Sequence, residues 1–211
     1  MFAIRGFVLA ASIGGSGGAG FPNELQPVGG NQAQPPAPEP GEPYPERLEL
    51  VTGSARGFKW INARGFVHAP LSAVWQALQD PEVVVDRRKV ASWKVQTGVI
   101  PGAEASYRIN NTVHDLITIE FETTWRLGVA LGTRDAPEAV AAVYRKTGGT
   151  HVIKRMEGSI VARKVSDSVT EIELVEHLDA LMRATESGAS YNRDLFAAIA
   201  ARAKGAPVPT Y

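Results

Sequence analysis

The sequence has no cysteine among its 211 residues, and that absence removes several chemistries at once. Disulfides, thiolate nucleophiles, cysteine-built zinc sites and a lipid-attachment cysteine are excluded, so stability has to come from a packed core. An excess of one charge sign is lacking too. Lys plus Arg and Asp plus Glu both number 22, for a formal net charge of zero. Nucleic-acid and anionic-membrane binders usually carry a basic excess, so no nucleic-acid partner is expected. No run approaches the ~20 apolar residues of a membrane span, and no transmembrane segment is expected. His68, His114, His151 and His177 show no zinc spacing such as H-E-x-x-H, so neither metal nor cofactor is expected.

Proline and glycine are unevenly spread. Residues 1–46 hold 8 of the 14 prolines and 9 of the 21 glycines. One basic residue, Arg5, precedes the apolar run from Phe7 to Ile13 and the small residues Gly14 to Gly20. That order sketches a secretory signal peptide over residues 1–20, with a disordered leader as the alternative. The protein would then be exported, to a periplasm or the medium; without a signal it would be cytoplasmic. From residue 21 to 47, including Pro35-Pro36-Ala37-Pro38-Glu39-Pro40, there is little apolar surface to offset ordering entropy, and a disordered linker is expected. The run Gly15 to Gly20 matches G-x-G-x-x-G, and Gly14 to Gly18 matches G-x-S-x-G. Both motifs need a strand before and a helix after, and proline-rich chain follows instead.

Beyond the linker the sequence has folding periodicity. Phe58 to Val67 reads as a strand. Ala69-Pro70 starts a helix where a missing N–H costs nothing. Leu71, Val74, Trp75 and Leu78 make one apolar stripe. Asp80-Pro81 ends that helix and starts a second short one, capped by Asp80. Val90 to Thr97 and Ala105 to His114 read as strands. Ile117, Ile119, Phe121, Thr123 and Trp125 alternate with polar or charged residues, as a one-sided antiparallel sheet requires. Val140 to Tyr144 is ambiguous between strand and helix. Thr150 to Val165 reads as a long strand with a bulge or bend at Gly158, and Thr170 to Leu178 as the last strand. Tyr191, Leu195, Ala198 and Ile199 repeat at helical spacing, and Gly205 and Pro207 stop the helix. A run of strands followed by a helix implies an α+β fold.

This order, with the stretch from Val67-His68-Ala69-Pro70 to Gln79-Asp80-Pro81, resembles the START-like, or SRPBCC, superfamily of helix-grip proteins. That superfamily includes polyketide cyclases and aromatases, lipid-transfer domains and plant pathogenesis-related ligand binders. Val67, Ala69, Pro70, Val74, Trp75, Leu78, Asp80 and Pro81 carry the likeness. Gly149-Thr150, Met156-Glu157-Gly158-Ser159-Ile160 and Thr170-Glu171 are similar to the family's last hairpins. The resemblance implies a helix-grip domain over residues 48–205, with a tail at 206–211. In it a curved antiparallel sheet wraps around a long C-terminal helix, and two short helices follow the first strand. It also implies a cavity between sheet and helix that holds an apolar small molecule in many members. The shared residues are packing residues and bring no catalytic group with them.

By alternation, residues that would face such a cavity are Trp93, Tyr107, Asn111, Ile119, Phe121, Trp125, Met156, Leu174 and Glu176, with Tyr191 and Leu195 from the helix. Buried aromatic and aliphatic side chains serve packing more often than binding, so core is the competing assignment for several of them. Glu176 shares a face with Ile172 and Leu174. It is either an inward carboxylate with a raised pKa or, if the strand ends by Val175, a solvated one, and the solvated state is the slightly favoured expectation. Three functions follow. The first is binding of a lipid or other hydrophobic small molecule. The second is a cyclase, aromatase or dehydratase using Glu176, His151 or Tyr107 as acid or base. The third is an interaction domain with a filled core.

Overall fold

The computed structural model describes residues 20–55, 57–180 and 184–211. The signal-peptide expectation and both glycine-rich motif matches fall almost wholly on residues 1–19, outside the described residues. Ten elements follow the extended N-terminal segment. They are β1 (Leu48–Ala55), β2 (Phe58–Val67), α1 (Leu71–Gln79), β3 (Val90–Thr97), β4 (Ala105–His114), β5 (Thr118–Gly132), β6 (Pro137–Gly149), β7 (Ile153–Lys164), β8 (Thr170–Ala180) and α2 (Ala184–Ala203). The strands form one sheet in the order β1-β2-β8-β7-β6-β5-β4-β3, each pair antiparallel. The sheet curves around α2, which is the helix-grip architecture expected of the α+β order.

The inner face carries the larger core. Ala63 and Val67 on β2, Leu127 on β5, Ile160 and Ala162 on β7, and Ile172 and Leu174 on β8 pack against Leu71, Val74 and Leu78 of α1 and Leu195, Phe196 and Ile199 of α2. The stripe on α1 is buried as its spacing predicts, except that Trp75 is only partly covered. Asp80 accepts the Glu82 N–H at 3.0 Å and so starts the expected second short helix, a single 3-10 turn at Pro81–Val83. Glycine sets how closely α2 approaches. A Cβ on Gly188 would sit 2.6 Å from Ile61 Cδ1 and 3.2 Å from Glu176 Oε2, so a larger residue there would crowd both side chains.

Two expectations about the strands differ from the structure, and one ambiguity is resolved. The first strand is Leu48–Ala55, which forms an edge paired only with β2 and is mostly open to solvent. With one side exposed it has little apolar alternation to read. Gly158 forms no bulge. It pairs regularly opposite Tyr144, whose ring occupies the space a side chain would need. Val140 to Tyr144 belongs to a long strand, and Ala139, Val140, Ala141 and Ala142 are all fully buried because both faces of β6 are covered. A strand buried on two sides loses its alternation, which is why its type was ambiguous.

The cover on the outer face is the segment expected to be a disordered linker. Phe21, ahead of a 3-10 turn at Asn23–Leu25, and Leu25 at the end of that turn pack on Ala130, Ala139, Ala141 and Val161. Leu25 lies over Gly128, where a Cβ would come within 2.9 Å of it. Asn31 Nδ2 donates to the carbonyls of Ala63 and Leu174 at 2.9 and 3.2 Å. The Gln32 N–H donates to Asn62 Oδ1 at 2.8 Å. Tyr44 meets Phe66 edge-on at 5.1 Å between ring centres. The segment is a strap. Its few apolar residues are spaced to drop onto the sheet one at a time, and its polar backbone is tied by side-chain amides, a pattern no helix or strand period reveals.

Candidate functional site

Between the sheet and the N-terminal half of α2 lies a space in two parts. The inner chamber has a volume of about 80 Å³, and the outer one, toward the β4–β5 turn, about 440 Å³. They share walls at Asp86, Val90, Phe121, Met156, Leu178 and Ser187. Strand alternation supplies the inner floor, with Ile109 and Asn111 from β4, Phe121, Thr123 and Trp125 from β5, Tyr144 from β6 and Glu176 from β8. Helix α2 supplies Ser187, Gly188 and Tyr191, and the chain after α1 supplies Val84 and Asp86. The outer chamber is mainly apolar, with Val113, Leu116, Ile117, Ile119, Val152 and Ile153 around it. Leu116, at the turn, is 87% exposed.

The polar end of the space is built on Glu176. Its strand runs on to Ala180 and does not end at Val175, so the side chain keeps the inward phase and is only 2% exposed. The slightly favoured expectation of a solvated carboxylate is therefore corrected. Asn192 Nδ2 donates to Glu176 Oε2 at 2.7 Å and is itself steered by the Gly188 carbonyl at 2.8 Å. The Tyr144 hydroxyl faces the same carboxyl group and favours its charged form. Burial disfavours the charged form and pushes the Glu176 pKa up to about 8, against the pull of those two donors. Asp86 is also raised, chiefly by burial, although it accepts the backbone N–H groups of Arg88 and Lys89 at 3.1 and 3.2 Å. Burial raises the Tyr144 and Tyr191 hydroxyls as well, and Tyr191 is spent donating to the Val84 carbonyl at 3.0 Å.

An aromatic stack holds the floor rigid. Trp125 lies between Tyr144, at 4.1 Å and 20°, and Tyr107, at 5.7 Å and 30°. Its indole N–H donates to Thr123 Oγ1 at 3.1 Å. Stacked rings with satisfied polar atoms hold their rotamers, and that pre-shapes the chamber.

Asn111, Phe121, Trp125, Met156, Glu176 and Tyr191 line the inner chamber, and Ile119 lines the outer one. Leu174 and Leu195 are core. Tyr107 is core too, its hydroxyl donating to the Leu78 carbonyl at 3.1 Å. Trp93 borders a separate depression over β3–β5, with its indole N–H on Glu82 Oε1 at 2.9 Å. The acid–base trio does not converge. His151 is exposed in the turn before β7, Tyr107 is committed to a backbone carbonyl, and Glu176 alone reaches the cavity. Tyr144, Asp86 and Asn192 were not legible as site residues. Tyr144 sits on the strand without alternation, Asp86 lies in an aperiodic connection, and Asn192 is marked only by its four-residue spacing from Gly188.

No protein-family model matches the chain, and no curated protein matches it in sequence. Solved structures do match in shape. A Thermus thermophilus protein superposes with a TM-score of 0.51 at 13% identity, over 69% of this chain and 97% of that one. A START superfamily protein from Mycobacterium smegmatis gives 0.51 at 10% identity, over 71% and 99%. The lipid transfer and protein localization domain of human StarD13 gives 0.50 at 13% identity, over 76% and 84%. At these identities the likeness is one of fold, and the fold is the START-like helix-grip fold.

Proposed function

We propose that the chain binds a lipid or other hydrophobic small molecule in the two-part space between the sheet and α2. The observation that carries this is an outer chamber of about 440 Å³ with mainly apolar walls, adjoining an inner one that ends in a buried carboxyl group. Ligand sites of about 300–1,000 Å³ have this character, apolar walls with a few placed polar groups. A filled-core interaction domain would leave no such space. Organic extraction and mass spectrometry of the natively purified chain, with titration of an environment-sensitive hydrophobic dye, test the proposal. Dye binding displaced by lipids, and weakened at least about tenfold by Met156→Trp, is the expected result. A chain that purifies empty and takes up neither dye nor lipid rejects it.

Turnover of the cyclase, aromatase or dehydratase kind has one feature in its favour, a buried acid at the cavity whose pKa burial pushes up to about 8. It would need a partner other than His151 or Tyr107. Export is a separate proposal that rests on the leader, and N-terminal sequencing of the mature protein checks it.

A further inference from the structure

Resting on the ligand-binding proposal above, we propose that the ligand is a hydrophobic amine, its ammonium head held by Glu176 and Asp86 and its apolar body in the outer chamber. The two acids come from different elements, Glu176 from β8 and Asp86 from the chain after α1, and border one space. Among the described residues they are the only charged side chains lining the inner chamber, and no Lys, Arg or His accompanies them. The donors that reach Glu176, Asn192 Nδ2 and the Tyr144 hydroxyl, are neutral. Neutral donors can solvate a carboxylate but cannot cancel its charge, so the buried acid keeps its proton until a cation arrives. An ammonium supplies that cation together with charge-assisted hydrogen bonds.

Competing head groups fare worse. A carboxylate ligand would meet two acids at one end of the space. An alcohol would gain a hydrogen bond but leave the electrostatics as they are. The aromatic lining favours a cation further. Trp125 has its faces taken by Tyr107 and Tyr144, but Phe121 and Tyr191 stand at the chamber with π density to offer. Size divides the ligand in the same way. About 80 Å³ suits a head of a few heavy atoms, whereas the chain or ring system belongs in the outer 440 Å³. Lys89 is the one described cation on the outer chamber and shares it with Asp115.

The groups that face Glu176 are Tyr144 from β6, Tyr191 from α2 and Asp86 from the connection, with neutral Asn192 and Gly188 on α2 and Ile61 on β2. Asp86 in turn faces Asp194 on α2 and Lys89 beside it, and both tyrosines stay neutral through the physiological range, so Glu176 and Asp86 are the chamber groups that respond to pH. Amine binding below about pH 8 therefore expels a proton.

The test is calorimetric titration of the full chain with four probes of equal tail: octyltrimethylammonium, octylamine, octanol and octanoate. At about pH 8 both ammonium probes should bind at least about tenfold more tightly than octanol, with octanoate weakest. Near pH 7 their binding heat should vary with the ionisation enthalpy of the buffer, which reports the released proton. Glu176→Gln should reduce the ammonium-to-octanol affinity ratio to within about threefold, and Asp86→Asn should reduce it in part. Octanol equalling the ammonium probes, or a ratio unmoved in both variants, overturns the amine head while leaving hydrophobic binding in place. Failure of all four probes rejects the binding proposal itself, and this one with it.

Discussion

The two faces of the sheet are covered by opposite means. Inside, a regular helix lies over large side chains and leaves a chamber with an acid at its end. Outside, an extended strap with few apolar residues lies on Ala130, Ala139, Ala141 and Gly128 and closes the surface tightly. The small residues of the outer face let an irregular backbone come close, whereas the large residues of the inner face hold the helix away and enclose space. Burial does not require regular structure, and regular structure does not guarantee full packing.

The largest test of this contrast is removal of the strap. Deleting residues 1–33 strips Phe21, Leu25 and Ala33 from the outer face and leaves Asn62 without its Gln32 partner. The expected loss is roughly 4–7 kcal/mol, from two large apolar side chains and several hydrogen bonds. Urea unfolding measures it, and a loss under about 1 kcal/mol would mean the strap merely rests on the sheet. Next, Trp125→Ala on the inner face should cost about 3–5 kcal/mol and enlarge the chamber between Tyr107 and Tyr144. A hydrophobic dye bound in the added volume should restore part of that loss, and no ligand can do the same for the strap deletion.

Glu176→Gln differs from both in carrying a pH signature, and at about pH 6 its effect is smaller. Folded, Glu176 titrates at about 8, against an ordinary 4.5. Between those values the unfolded chain has released the proton that the folded protein keeps, so raising the pH favours unfolding. The stability advantage of the variant should be small near pH 4.5, grow by at most ~1.4 kcal/mol per pH unit, and level off above about pH 8. Denaturant titrations across that range check it, and a pH-independent difference would mean that Glu176 is solvated or paired. The smallest effect is expected from Asn62→Ala, about 1–2 kcal/mol, because the Gln32 N–H loses its acceptor. Hydrogen exchange at Gln32 should quicken. In the strap-deleted chain the same substitution should cost much less, and the difference isolates the contact.

How much could be read from the sequence follows the same division. The inner face is one-sided and periodic, so the alternation from Ile119 to Trp125, the stripe of Leu71, Val74 and Leu78, and the helix through Tyr191 and Ile199 were all legible. Where both faces are buried, as at Ala139 to Ala142, alternation vanishes and the element becomes ambiguous. The strap was illegible because Phe21 and Leu25 stand alone among polar residues, prolines and glycines and find their partners about a hundred residues further along, at positions such as Gly128 and Ala141. Within the site, strand phase placed Phe121, Trp125 and Glu176 on the inner side. Asp86 and Asn192 required the actual path of the chain, since one sits in an aperiodic connection and the other is set by where α2 crosses β8.

The position of β8 between β2 and β7 also imposes an order on assembly. Strands β3 to β7 are joined neighbour to neighbour and can pair as each hairpin leaves the ribosome. In contrast, Val67 pairs with Thr170, and Asn31 bonds the Leu174 carbonyl, so the oldest parts of the chain wait for nearly the youngest. Until β8 emerges, β2 has only β1 to pair with, and Asn31 lacks one of its two carbonyl acceptors. Distant pairings of this kind slow folding. For the interval of synthesis from β2 to β8, about a hundred residues, the edge of β2 that β8 will cover stays unpaired, and unpaired strand edges are the aggregation-prone part of a folding chain.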